Sequence, residues 1–205
     1  MVIRELKPSQ RVEGRWLAFL EDGTILRLGE NEVIDFALYT GKELTDEEAA
    51  ALQDSARRST LKGKALELLS RKPQSRRELE RKLIQWEAGE EEAAAICDRM
   101  EELGYLDDAA YAVRVVRHYS VKGYGERKLR DELYRRGVPR DLWGAALEQT
   151  VPSDSAIDDF IAKKLAGKIP DRTELKKISD ALARRGYRWD DISAALRRCG
   201  AECDE

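Results

Sequence analysis

A chain of 205 residues is long enough for one large or two small domains. Its 37 Lys/Arg against 40 Asp/Glu leave a formal net charge of −3, which argues against a general duplex binder held by phosphate neutralisation alone. The Ala, Leu, Glu, Arg and Lys content is that of long helices. No run approaches the ~20 apolar residues of a membrane span, and no signal-peptide core opens the chain, so a cytoplasmic protein is expected.

The N-terminal segment, 1–56, predicts a β-hairpin followed by helices. From Arg11 to Leu20, Val12, Trp16, Ala18 and Leu20 share one alternating face, with Leu17 and Phe19 opposite. Asp22-Gly23 then precedes Thr24-Ile25-Leu26-Arg27-Leu28. Asp-Gly between two such runs signals a hairpin whose two central residues take positive φ. Asn31 to Tyr39 has helical spacing through Val33, Phe36 and Ala37, and Gly41 can end that helix in the left-handed conformation. Thr45 with Glu48 forms a capping-box pattern before another helix, which runs to about Ser55 or continues into the first helix of a repeat.

The rest of the chain repeats with a period of about 49 residues. Ser75-Arg-Arg-Glu-Leu-Glu-Arg-Lys-Leu83, Gly125-Glu-Arg-Lys-Leu-Arg-Asp-Glu-Leu133 and Glu174-Leu-Lys-Lys-Ile-Ser-Asp-Ala-Leu182 superimpose. The pairs Leu79/Leu83, Leu129/Leu133 and Ile178/Leu182 fall in register, followed by Gly89, Gly137 and Gly186. Each repeat reads as three helices. First helices are expected at 58–71, 108–121 and 155–166, second helices at 76–86, 126–136 and 172–185, and third helices at 90–103, 139–149 and 189–199. Ser75 with Glu78 makes a second capping box, and Pro139 suits a helix start. The fold class is therefore mainly α: three tandem three-helix repeats in an elongated array (57–105, 106–152 and 153–205) behind the hairpin segment. Such arrays bury their apolar faces on one another and mostly serve as binding surfaces. A polar tail from Cys199 to Glu205 is expected to fray.

Charge follows the repeat. Residues 57–82 carry ten Lys/Arg against three acids, and 114–140 and 161–188 each carry nine against three. Residues 83–113 hold one base and nine acids, and 1–56 hold six bases and twelve acids. Solvated helix faces explain one such block. Threefold recurrence points to a ridge able to follow a polyphosphate. Its contact residues are expected to be Arg127, Lys128, Arg135 and Arg136 in the second repeat and Lys176, Lys177, Arg184 and Arg185 in the third. At ~100° per residue, Lys128 and Arg135 form one stripe, as do Lys177 and Arg184.

Catalytic chemistry is not legible. His118 is the one histidine, and no nucleophile–base pair or metal motif accompanies it. Cys97, Cys199 and Cys203 make no disulfide framework and read as unpaired thiols. Gly123-Tyr124-Gly125 lacks the third glycine and the preceding strand of a phosphate loop and reads as a helix start. No enzyme activity, cofactor or metal is expected.

Gly104-Tyr-Leu-Asp-Asp-Ala-Ala-Tyr-Ala112, Lys122-Gly-Tyr-Gly-Glu-Arg-Lys-Leu-Arg-Asp-Glu-Leu-Tyr-Arg-Arg-Gly-Val138 and Ser75-Arg-Arg-Glu-Leu79 together resemble the RecX family, bacterial regulators of the RecA recombinase. Leu182-Ala-Arg-Arg-Gly-Tyr-Arg-Trp-Asp-Asp-Ile192 and Gly41-Lys-Glu-Leu-Thr45 extend the resemblance over nearly the whole chain. It implies a helical-repeat protein that binds the groove of the RecA–DNA filament. It implies suppression of ATP hydrolysis, strand exchange and coprotease activity in DNA repair, homologous recombination and the SOS response. The implied partners are RecA and single-stranded DNA, with double-stranded DNA as a further form; a monomer is expected. The alternative is a helix-turn-helix-like DNA-binding module acting without RecA. Against it, the third helices begin with Glu90-Glu-Glu92, Arg140-Asp141 and Trp189-Asp-Asp191, whose carboxylates would repel phosphate.

Overall fold

The Asp22-Gly23 signal marks a true chain reversal. In the computed structural model, which describes residues 1–149, 154–166 and 171–198, strands β2 (Arg15–Leu20) and β3 (Ile25–Gly29) pair antiparallel, with Trp16 opposite Leu28 and Ala18 opposite Leu26. The turn differs from the expected one. Glu21 to Gly23 span it, the Leu20 amide donates to the Thr24 carbonyl at 2.9 Å, and only Gly23 has a positive φ, +86°. Asp22 instead accepts from the Thr24 amide at 2.9 Å, a local bond that holds a three-residue loop.

A third strand, β1 (Ile3–Pro8), pairs with β2 to complete a sheet of order β1-β2-β3. Ile3 is the one buried residue of its Ile-Arg-Glu-Leu-Lys-Pro sequence, so no clear alternation announces it. Helix α1 (Glu30–Asp35) is shorter than the spacing suggests. Ala37 enters the left-handed region (φ 44°), and the Ala37 and Leu38 amides turn back onto the Ile34 and Val33 carbonyls, closing the helix well before Gly41.

Helix α2 (Asp46–Arg71) joins the expected N-terminal helix and the first helix of the first repeat into 26 continuous residues. The predicted box starts it: Thr45 Oγ1 accepts from the Glu48 amide at 3.1 Å, and Glu48 Oε2 accepts from the Thr45 amide at 2.9 Å. Extended Lys72, ahead of Pro73, stops it. Leu52, Ala49 and Ala56 on its first half close a core with Ile3, Ala18, Leu20 and Leu28 from the sheet.

Helices α3 (Arg76–Gln85) and α4 (Glu90–Glu102) complete the first repeat, with Leu79, Leu83, Ile96 and Met100 buried. Gly89 does not end α3. It is the N-cap of α4 with φ −67°, and the left-handed residue is Glu87 (φ +68°), two positions earlier. The second repeat comprises α5 (Asp108–Val121), α6 (Glu126–Arg136) and a 3-10 turn (Arg140–Leu142) that runs from Pro139 into α7 (Trp143–Glu148). Its core holds Tyr111, Val115, Leu129 and Leu133, with Leu147 packed against it. Leu133 is fully buried; such burial contributes ~1.5–3 kcal/mol. The third repeat comprises α8 (Asp154–Leu165), α9 (Arg172–Arg184) and α10 (Trp189–Arg198), around Ile161, Ile178, Leu182, Ile192 and Leu196.

The chain divides into two compact units. The first comprises Met1–Pro73 with Leu79–Tyr105; the second comprises Gln74–Glu78 with the described residues from Leu106 onward. Among the described residues no helix is long and apolar enough to cross a membrane. Cys97 is buried; Cys199, Cys203 and the expected tail lie outside the described residues.

Candidate nucleic-acid interface

Within the second unit the same joint occurs twice. The first turn of α3 meets the end of α6: Ser75 Oγ donates to the Arg136 carbonyl at 2.5 Å, and the Arg77 side chain lies over Gly137. One repeat further on, α6 meets the end of α9. The Gly125 amide donates to the Arg185 carbonyl at 2.9 Å, and the Arg127 amide to the Gly186 carbonyl at 3.1 Å. At this second joint orphan amides of one helix start are satisfied by orphan carbonyls of another helix end; at the first, the Ser75 hydroxyl reaches the helix-end carbonyl instead. The helix dipoles favour both meetings.

The arginine before each glycine is turned into its joint. Arg136 Nη1 donates to the Tyr111 hydroxyl at 2.8 Å and lies 3.5 Å from Glu78 Oε1. The Tyr111 hydroxyl donates in turn to Glu78 Oε2 at 2.7 Å. Burial, then the Glu78 hydrogen bond and charge, push the Tyr111 pKa up to about 12, which keeps its proton in the network. Arg185 occupies the equivalent place: Nη1 donates to the Gly123 carbonyl at 3.2 Å, and its guanidinium sits 4.6 Å from the Phe160 ring centre. Both arginines, expected on the nucleic-acid face, are engaged in intramolecular contacts. The signal that could have found them is register: an aromatic residue, Tyr111 or Phe160, precedes each arginine at the same repeat spacing.

Lys128 and Arg135 do share a stripe, but with a carboxylate between them. Glu132, with a side chain only 6% exposed, lies 3.5 Å from Lys128 Nζ and 2.6 Å from Arg135 Nη2. Burial alone would raise the Glu132 pKa. Hydrogen bonding from Arg135, then from Tyr119, and the charges of Arg135 and Lys128 outweigh it, and the pKa is lowered. The stripe therefore carries one net positive charge rather than two.

Arg127, Lys176, Lys177 and Arg184 are exposed, and their side chains have no hydrogen-bond or ion-pair partner among the described residues. The α6–α9 joint brings three predicted cations together. Arg127, Lys128 and Arg184 line one shallow depression of about 430 Å³, with Asp131 its single acid. His118 is exposed and meets Tyr119 edge-on at 5.2 Å. No cluster of three metal-ligating groups exists among the described residues.

Fold and surface together define a tandem three-helix-repeat protein with cationic second helices. Family models confirm the repeat unit: the first three-helix domain of RecX matches residues 62–100, and the second matches residues 107–147. Regulatory protein RecX of Xanthomonas axonopodis pv. citri (strain 306) is 35% identical over 136 residues, 65% of this chain and 84% of that relative. Its counterpart from Pseudomonas fluorescens is 37% identical over 134 residues, 64% of this chain and 86% of the relative. Two crystal structures share the fold. One of regulatory protein RecX gives a TM-score of 0.74 at 22% identity, covering 98% of this chain and 99% of its own. One of RecX from Lactobacillus salivarius gives 0.65 at 21% identity, covering 70% and 97%. The chain belongs to the RecX family of regulatory proteins.

Proposed function

We propose that this protein regulates the RecA recombinase, mainly as an inhibitor, by binding the groove of the RecA–DNA filament. The observation that carries the reading is membership of the RecX family of regulatory proteins. The regulated activities are ATP hydrolysis, strand exchange and coprotease function during DNA repair, homologous recombination and the SOS response. The protein acts in the cytoplasm, as a monomer, without a cofactor of its own. The three repeats, 57–105, 106–152 and 153–205, are its working parts.

Arg127, Lys176, Lys177 and Arg184 contact phosphate directly in this reading. Their exposure and lack of internal partners support that role. Lys128 and Arg135 assist at the reduced charge that Glu132 leaves them. Arg136 and Arg185 act from beneath, holding the joints that align the second helices.

The test is the single-stranded-DNA-dependent ATPase rate of RecA with and without this protein. The rate should fall at substoichiometric to near-stoichiometric ratios, while the protein alone hydrolyses no nucleotide. Undiminished hydrolysis at a several-fold excess would overturn the reading.

A further inference from the structure

The acidic N-terminal segment hides a basic surface. Residues 1–56 hold twelve acids and six bases. Four of those bases, Lys7, Arg11, Arg15 and Arg27, line a single cleft of about 1000 Å³ in the first unit, and none of the twelve acids does. Arg57 and Lys64 of α2 line it as well, together with Trp86. Among the described residues this lining contains no carboxylate.

The strand register shows what the cleft opens onto. Ala18, Leu20 and Leu28 face the core, so the alternate residues form the outer face of the sheet. Lys7, Leu17 and Arg27 lie in one row across the three strands, and Glu5, Phe19 and Ile25 lie in the next. Arg15 shares the face of Leu17. Glu5 is occupied by Lys7 at 3.0 Å, and the same ammonium lies 4.6 Å from the Phe19 ring centre. Arg57 is engaged by Glu92 at 2.9 Å, and Lys64 lies 5.5 Å from the Trp86 ring centre. Arg11, Arg15 and Arg27 have no side-chain hydrogen-bond or ion-pair partner among the described residues. Ile25 is 52% exposed.

We infer that this sheet face and cleft form a second nucleic-acid site, one that takes single-stranded DNA. Cations interleaved with apolar and aromatic side chains suit a strand whose phosphates and base faces are both accessible. A duplex hides its base faces in the stack and gains nothing from Phe19, Ile25 or Trp86. An acidic polypeptide would satisfy the cations but would offer the Phe19 and Trp86 rings no flat partner. The site lies wholly in the first unit and shares no residue with the cations of α6 and α9. It does not depend on the recombinase reading.

The test uses the full chain, a fluorescein-labelled oligo(dT) strand and no recombinase, with anisotropy followed at several salt concentrations. Arg15→Glu with Arg27→Glu should weaken binding at least about tenfold and lower the log–log salt slope by roughly 1.4, about 0.7 for each lost single-strand contact. The loss should add to that from Lys177→Glu with Arg184→Glu. Cross-linking of wild-type protein to a bromodeoxyuridine strand should label peptides spanning 7–27 or Trp86, which decides the matter if the double variant does not fold. Wild-type affinity and slope in a folded double variant would overturn the site, as would cross-links confined to the second unit. Tighter binding of polyglutamate than of oligo(dT), lost in the same double variant, would replace the DNA strand with an acidic polypeptide.

Discussion

Gly125 lies directly against the backbone of Gly186: a β-carbon on Gly125 would fall 2.5 Å from the Gly186 carbonyl carbon, and one on Gly186 would fall 2.5 Å from the Lys128 nitrogen. The two substitutions test different things. Gly186 has φ +89°, so Gly186→Ala adds left-handed strain, ~1–2 kcal/mol, to the steric clash. Gly125 has φ −80°, which any residue adopts, so Gly125→Ala reports contact alone. Both should lower the melting temperature, Gly186→Ala more. A Gly125→Ala variant that melts with the wild type would mean the joint is looser than described.

Arg136, Tyr111 and Glu78 should behave as one energetic unit. Losing Arg136 leaves a partly buried carboxylate and a buried hydroxyl short of a partner, at about 1–3 kcal/mol. In a double-mutant cycle, Arg136→Ala and Tyr111→Phe should cost less together than the sum of the two alone. Alkaline pH gives an independent check. The folded Tyr111 pKa, about 12, lies above its ordinary value of 10.0, so its contribution is complete below pH 10 and is lost as pH rises toward 12. Over that interval the wild type should lose stability more steeply than Tyr111→Phe in denaturant melts. Parallel pH profiles would remove Tyr111 from the network.

Glu132 should matter at the opposite end of the pH scale. Its folded pKa is depressed, so its contribution is present above the ordinary carboxylate value and is lost as pH falls through the folded pKa. Glu132→Gln should therefore be less stable than wild type at neutral pH, and the two should converge in acid. A stability gap that persists unchanged into strong acid would assign the loss to packing rather than charge.

The helical pattern was legible because each repeat states it again. Leu79/Leu83, Leu129/Leu133 and Ile178/Leu182 all face their cores, and both capping boxes form. What escaped reading depends on partners distant in sequence. Strand β1 has too few apolar residues to show a period and exists because β2 offers it an edge. Glu87 is a local exception: it takes the left-handed place after α3 in a turn that the Ala88 amide closes on the Leu83 carbonyl at 3.0 Å, and no glycine stands there to signal it. Arg136 and Arg185 look like any exposed helix-end cation until Tyr111 and Phe160 come up beneath them. Composition separates charged from apolar residues but does not tell a free arginine from one already hydrogen-bonded.

That distinction decides how the cationic ridge should be tested. Lys128→Glu with Arg135→Glu would place two new carboxylates around buried Glu132, so any loss of binding would be mixed with loss of fold. Lys177 and Arg184 are seven residues apart on α9, exposed, and without side-chain partners among the described residues. At ~100° per residue they lie within roughly 20° of each other around the helix, so both can meet one phosphate backbone. Lys177→Glu with Arg184→Glu should leave the melting temperature within about 0.5 kcal/mol equivalent of wild type, as surface changes do. It should nevertheless weaken binding to RecA-coated single-stranded DNA and reduce the salt slope by about 0.7 for each contact removed. A solvated face that touches nothing predicts unchanged affinity and an unchanged slope. Titrating both proteins against coated and bare DNA at several salt concentrations separates the two outcomes, and equal slopes would retire α9 as a phosphate-contacting helix.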